Sequence, residues 1–293
     1  MKDILAIDIG GTYIKYGMFD EAWQPLFKAR IETPLNRVDF MQVLDDIILN
    51  LPSIKGIALA MPGFIDAQKG YAYTGGSLHY LDDTSIVALL QDRYQLPVSV
   101  ENDARCATLA ELCLGNLQDV DNGAAIILGT GIGGGIVIDR KIIKGNHLSA
   151  GEFSFLSIDM EKGLQPDNFW ASNCGKRGIM KAIQIESGLD DIQGEQAFFL
   201  IKQGNQQVAK AMQKVAHKLA MWIIQLQYII DPDKVVIGGG ISQEPLFMAY
   251  IQEALATAKA SYPYLPCFPK IERCKFANDA NLIGALLHYQ NQG

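Results

Sequence analysis

Three glycine-rich turns, each fed directly by an apolar run, constrain this chain more than any other feature. The run Ile4 to Ile7 leads into Asp8-Ile9-Gly10-Gly11-Thr12, and a second apolar stretch starts at Tyr13. Residues 123–128 lead into Gly129-Thr130-Gly131-Ile132-Gly133-Gly134-Gly135, with strand-like sequence again over 135–139. Val235-Val236-Ile237 leads into Gly238-Gly239-Gly240-Ile241-Ser242. The first two read as strand, glycine turn, strand, and their repetition implies two related α/β halves. Glycine lets backbone N–H groups approach an anionic ligand closely, and Thr12 adds a hydroxyl beside them. A charged Asp8 so near a phosphate would repel it unless a divalent cation stood between, so Mg²⁺-dependent nucleotide handling is the first implication. The plainer alternative is a tight hairpin in which Asp8 bonds turn amides. At the third cluster, either a purine or ribose approaches bare backbone, or Ser242 caps a strand-to-helix turn.

The remaining pattern is that of an α/β enzyme. Strands are predicted at residues 4–9, 13–19, 25–32, 54–61, 98–100, 123–128, 135–139, 234–237 and 270–274. Helices are predicted at 36–49, 85–94, 104–113, 209–230, 244–260 and 279–289. The helix at 36–49 shows its apolar stripe at Phe40, Val43, Leu44, Ile47 and Ile48. Residues 62–83 are irregular and long enough to suggest a functional loop region. Residues 163–178 show no clear period. A net charge of −7 over 293 residues disfavours nucleic acid or an anionic membrane as partner. No apolar run reaches the ~20 residues of a spanning helix. The first residues show no signal peptide, and five cysteines without a CxxC pair fit reduced thiols in a cytoplasmic protein.

Two further segments carry chemistry. Glu101-Asn102-Asp103-Ala104-Arg105 lies between a predicted strand and a helix, where open α/β sheets bind ligands. There an amide can hold a hydroxyl while the neighbouring carboxylate takes its proton; helix capping by Asn102 or Asp103 is the alternative. Glu152, between Gly151 and Phe153, is an expensive charge in an apolar segment and needs a sugar hydroxyl or an internal cation. Gly129, Gly131 and Gly134 also satisfy GxGxxG, but a dinucleotide site needs a helix after the turn, and a β-type run follows. No GxxxxGK[ST] occurs.

Together these segments resemble the ROK family of bacterial sugar kinases, repressors and related proteins. The matches are DIGGT at 8–12, Pro62-Gly63, ENDA at 101–104, GTGIGGG at 129–135, AGE at 150–152, GGG at 238–240 and NDANLIGA at 278–285, in order along nearly the whole chain. The resemblance implies a two-domain actin-like ATPase fold, with the active site in the cleft between two α/β domains. The expected domains are residues 1–113, completed by a C-terminal helix at 278–293, and residues 114–277. It implies ATP and Mg²⁺ as cofactors. Asp8, Gly10, Gly11, Thr12, Thr130, Gly131, Gly239 and Gly240 would serve the nucleotide, with Asp8 holding Mg²⁺ through water. Asp103 would be the general base, and Gly63, Asn102 and Glu152 would join it around the sugar. The family's repressors carry an N-terminal DNA-binding extension, for which a phosphate motif at residue 8 leaves no room. A homodimer is implied as well.

One departure bears on the substrate. The family's zinc motif, GExGH with CxCGxxGC, reads here with Phe155 for its His and only Cys174 among its cysteines, so no zinc is expected. The family's sugar-contacting Glu aligns with Lys181, which implies a rebuilt anomeric end and a site open to glycosides. The AGEF segment, Gly75-Gly76 and the closing NDANLIGA are most similar to members that phosphorylate the 6-hydroxyl of the non-reducing glucose in β-glucosides such as cellobiose. Glucokinase and N-acetylmannosamine kinase are the nearest alternatives. A non-catalytic sugar sensor on the same fold and a nicotinamide-dependent enzyme stand outside that class.

Overall fold

The computed structural model describes residues 2–51, 53–265 and 267–292; Met1 and Gly293, the outer ends of the expected domains, lie outside the described residues. The chain divides into two compact units. One runs to Ala110 and includes Gly145–Ser149 and the segment from Asp279; the other comprises Glu111–Lys144 and Ala150–Asn278.

In the first unit, β1 (Ile4–Ile9), β2 (Tyr13–Phe19) and β3 (Pro25–Glu32) form an antiparallel meander. Helix α1 (Arg37–Ile48) then crosses back to β4 (Gly56–Met61), parallel to β1. A ribbon of β5 (Ile65–Asp66) and β6 (Tyr71–Ala72) precedes α2 (Ile86–Tyr94) and β7 (Val98–Asn102), giving the sheet order β3-β2-β1-β4-β7. All of β4, and β1 beyond its first residue, are buried, as central strands covered on both faces should be. Helix α1 starts where Asn36 Oδ1 accepts the Asp39 N–H at 3.0 Å, and its Phe40, Leu44, Ile47 and Ile48 stripe joins the core of Leu5, Ile7, Ile57 and Leu59. Helix α3 (Asp103–Leu114) follows β7 without a loop, and the C-terminal helix (Ala280–Gln290) packs on β1, β4 and β7.

The second unit repeats this topology. Strands β8 (Gly123–Leu128), β9 (Ile132–Ile138) and β10 (Lys141–Ile143) form the meander, and β11 (Lys234–Gly238) and β12 (Lys270–Arg273) add parallel neighbours, in the order β10-β9-β8-β11-β12. Between β10 and β11 lie α4 (Trp170–Cys174), α5 (Lys176–Ser187), α6 (Gly194–Lys202) and α7 (Gln206–Ile230); α8 (Pro245–Ser261) joins β11 to β12. Helix α7 buries Val208, Ala211, Met212, Val215, Leu219, Ile223 and Leu226 at helical spacing against the sheet core. Among the described residues, no helix is long and apolar enough to cross a membrane.

Two differences from the sequence reading have physical causes. Strand β9 begins at Ile132, not Gly135, so Gly133 and Gly134 are strand rather than turn. A Cβ on Gly134 would stand 2.4 Å from the Phe153 ring, and Gly151 packs on the same stretch, so bare strand admits a close neighbour. Helices α5 and α6 were not foreseen. Their signal was Ile179 and Ile183 one turn apart with Gly188 closing the helix at φ 71, diluted by glycine and charge.

Gly284 of the C-terminal helix faces α3 so closely that a Cβ there would stand 1.8 Å from the Cys106 carbonyl oxygen. In an exposed helix, Gly→Ala gains about 1 kcal/mol. Here the obstacle is backbone, which cannot rotate away, and overpacking costs of about 1–3 kcal/mol outweigh that gain. Gly284→Ala is therefore expected to lower the urea midpoint; a raised midpoint would refute this packing.

Candidate active site

The first hairpin is closed by the Gly10 N–H, which donates to Tyr13 O at 3.1 Å and leaves Gly11 and Thr12 as its exposed tip. A Cβ on Gly11 would stand 2.5 Å from Ser77 Oγ, so the tip lies against the 74–77 turn. The same turn presses on Gly63, whose φ of +103 and whose 2.0 Å Cβ approach to Thr74 O exclude any larger residue. Asp8 is buried at the carboxyl end of β1. Its Oδ2 lies 3.3 Å from Lys15 Nζ, and its Oδ1 accepts from Asn281 Nδ2 at 3.0 Å. Burial pushes the Asp8 carboxyl pKa up, while Lys15 and Asn281 pull it back. Lys15, which on a strand reads equally as a solvated side chain, is thus the counter-ion of Asp8. Asn281 had no sequence signal beyond the closing-helix motif.

Two strands away, β7 delivers Glu101, Asn102 and Asp103. The buried Glu101 accepts the Asn102 N–H at 2.8 Å and lies 3.6 Å from the buried Arg105 guanidinium. Asn102 Oδ1 accepts the Arg105 N–H at 3.0 Å, and its Nδ2 donates to Gly63 O at 3.0 Å. The capping alternative thus holds for Asn102, which retains one of its two amide hydrogens for a ligand. Asp103 Oδ1 accepts the Ala104 N–H at 2.8 Å, and among the described residues no cation pairs with it. Burial first, and the charge of Asp8 second, push its carboxyl pKa up to about 6.

Two carboxylates close enough to repel suit Mg²⁺, which takes one or two carboxylates and fills its remaining positions with water and phosphate oxygens. Among the described residues, no group of three or more His, Cys, Asp or Glu is placed to hold a metal. At the positions aligned with the zinc motif, Phe155 stands half exposed against the Phe169 ring, and Cys174 is buried with its thiol pushed up to about 12 by desolvation.

In the second unit, the Gly129 N–H donates to Gly131 O at 3.0 Å and leaves Gly129 and Thr130 exposed. The Lys176 N–H, at the start of α5, donates to Gly129 O at 3.0 Å. Gly239, at φ +91, backs this hairpin so closely that a Cβ would stand 2.0 Å from Leu128 O. Ser242 Oγ donates to Gly239 O at 2.8 Å, and Gly240 has open space where its Cβ would be. Strand β9 begins directly after Gly131, so no helix follows the GxGxxG turn and the dinucleotide reading fails. Glu152 precedes a helical turn (Phe153–Phe155) tied to β9 by Ser154, whose Oγ bonds both the N–H and the C=O of Ile132 at 3.0 Å.

A cavity of about 710 Å³ joins Gly129, Thr130 and Gly240. Ile179, Met180, Phe198 and Ile241 give it apolar walls, and Gln193, Glu195, Gln243 and Glu244 give it polar groups. Among the described residues, Gln243 Nε2 is buried without a hydrogen-bond partner, a donor that a bound acceptor would satisfy. The walls on α5 and α6 are residues that the sequence reading missed. The structure therefore gathers Asp8, Gly10, Gly11, Thr12, Gly63, Asn102 and Asp103 in one unit. It holds Thr130, Gly131, Glu152, Gly239 and Gly240 in the other.

Known proteins resemble this chain along nearly its whole length. The model of the ROK family matches residues 4–292. A β-glucoside kinase of Klebsiella pneumoniae is 32% identical over 292 residues, 98% of this chain and 95% of that protein. An N-acetyl-D-glucosamine kinase of Haemophilus influenzae is 28% identical over 95% of this chain and 96% of its own length. The crystal structure of a ROK family protein from Streptococcus pneumoniae in complex with sucrose superposes with a TM-score of 0.87 at 31% identity, covering 99% of this chain and 98% of that one. The fold is the two-domain, actin-like ATPase fold of such kinases.

The raised pKa of Asp103 has a consequence for stability. In the unfolded chain the group titrates near 4, so between pH 4 and 6 the folded state binds more protons and stability falls as pH rises. Asp103→Asn removes that penalty. Its Tm is expected to match the native protein near pH 4 and to exceed it above pH 6, by at most about 3 kcal/mol of stability. A gap independent of pH would refute the shift.

Proposed function

The chain belongs to the ROK family, and from that premise we propose that it transfers the γ-phosphoryl group of ATP to the 6-hydroxyl of glucose or of the non-reducing glucose of a β-glucoside. The observation that carries this reading is Asp103: a carboxylate at the end of a parallel strand, unpaired by any cation among the described residues, with a pKa of about 6. Such a group is ionised at neutral pH yet more basic than a free aspartate, as a general base needs to be.

Asp103 takes the proton of the sugar hydroxyl as its oxygen attacks phosphorus in line. The remaining amide hydrogen of Asn102 holds that hydroxyl in place, and Glu152 accepts from another sugar hydroxyl. The backbone N–H groups and hydroxyls of the Gly10–Thr12 tip, and those of the Thr130–Gly131 tip, are the donors each unit offers to phosphate, and positioning and electrostatics supply most of the rate. The cavity beside Gly240 takes the nucleoside, its base between apolar walls with an acceptor on Gln243 Nε2. Asp8 is the side chain that would hold Mg²⁺ through water, and the ion would neutralise charge on the transferring phosphoryl group.

The β-glucoside reading is supported by the relative from Klebsiella pneumoniae and by Phe155. Half exposed in the turn after Glu152, its ring offers a second sugar an apolar face. Glucokinase or N-acetylmannosamine kinase activity would leave the same machinery in place.

With Mg-ATP, ADP release is expected to be fastest with cellobiose in a panel that includes glucose, N-acetylmannosamine and fructose. A preference for a monosaccharide would remove the glycoside reading and keep the kinase. Asp103→Asn should lower kcat by roughly 10²–10⁴ while calorimetry still detects ATP binding. In the native protein, kcat/KM should fall as pH drops through about 6, because protonation disables the base. Unchanged turnover in the variant would exclude Asp103 from that role.

A further inference from the structure

A second cavity, of about 870 Å³, lies on the other side of the β8–β9 tip. Gly129 and Thr130 line the nucleoside cavity, whereas Thr130 and Gly131 line this one. Helix α5 divides the two by its own periodicity. Lys176, Ile179 and Met180 face the first; Arg177, Gly178, Lys181, Ala182 and Ile185, spaced one turn apart, face the second. A phosphate at the tip would have its nucleoside on one side, which leaves this cavity on the side of the acceptor. The Glu152 turn adjoins it: a Cβ on Gly131 would meet Ser154 Oγ at 2.9 Å and Ala171 Cβ at 3.7 Å, and both Gly131 and Ala171 line the cavity.

The lining is cationic in a chain of net charge −7. Lys162, Arg177, Lys181, Lys214 and Lys218 face two acids, Asp167 and Glu186. Glu186 is already engaged by Lys210 at 3.1 Å and by Lys214, and Lys218 donates to Asn173 Oδ1 at 2.9 Å. Arg177 and Lys181, on one face of α5 and lining the cavity, have no acidic partner among the described residues. We propose that this cavity binds an anionic group, a carboxylate or phosphate, carried by the acceptor sugar at the end remote from the hydroxyl that is phosphorylated, and that Arg177 and Lys181 are its ligands. The inference rests on the kinase reading above and narrows its substrate class to acidic glycosides.

The test compares two aryl β-D-glucosides that differ only in charge, 4-carboxyphenyl and 4-carbamoylphenyl, in the ADP-release assay with glucose alongside. Two exposed cations lining one cavity are expected to give the carboxylate a KM about five- to tenfold below that of the amide. The ratio should shrink toward one at high ionic strength. In Arg177→Gln/Lys181→Gln it should fall to about one, whereas Arg177→Lys should keep most of it. Equal KM values for the pair, while glucose is turned over, overturn the anionic site alone. A preference that survives the double variant overturns the two named ligands. No ADP release with any sugar overturns the kinase reading, and this inference with it.

Discussion

The first unit is organised around two carboxylates that repel each other. Asp8 ends one parallel strand and Asp103 follows another, with β4 between them. The register sets Asp8, Ala60 and Glu101 in one row across the three strands. Holding two acids in a partly dehydrated site is unfavourable unless the surroundings fix them. Lys15 does so from the neighbouring strand, and Asn281 does so from the far end of the sequence. Asn281 and Gly284 are three residues apart and so share a face of the C-terminal helix. Gly284 lets that face sit on α3, and Asn281 then reaches Asp8. The packing of the last helix and the charge state of the first strand are thus one constraint.

Glycine shapes the surroundings of both hairpins. Gly239 stands directly against Leu128 O at the base of the second tip, whereas Gly63 stands against Thr74 O of the turn on which the first tip rests. Both glycines have positive φ, so backbone conformation and close approach demand the same residue. Donors held by such contacts are oriented before a ligand arrives, which is what electrostatic stabilisation of a phosphoryl group needs. The shared strand order of the two units places the two hairpins at equivalent points of their sheets.

How much of this was legible depended on where the information lies. Strand bounds were legible in the first unit because apolar runs end abruptly at glycine, proline or charge; β1, β2 and β3 follow the sequence reading residue for residue. The same rule misplaced the start of β9, because Gly133 and Gly134 are strand residues, and the bareness of Gly134 admits the Phe153 ring. Candidate residues of contiguous motifs, from Asp8 to Gly240, could be proposed from the sequence. A partner that reaches a site from a distant element could not, and Asn281, which meets Asp8 from the C-terminal helix, is of that kind. The cavity walls on α5 and α6 were hidden for a further reason: their helices carry too short and charged a pattern to declare a period.

The pKa of Asp103 links these observations to chemistry. At pH 7 a group with a pKa of about 6 is ionised in roughly nine molecules of ten. A free aspartate would be ionised more fully but would be about a hundredfold weaker as a proton acceptor. The shift therefore gives up little of the active form and gains basicity, and its causes are the burial and the repulsion that make the folded state less stable at that pH. Removing Asp8 would relax one of those causes, but it would also remove the carboxylate suited to the metal. In the proposed reaction the acid pair is one device, in which the residue assigned to the nucleotide also raises the proton affinity of the residue assigned to the sugar.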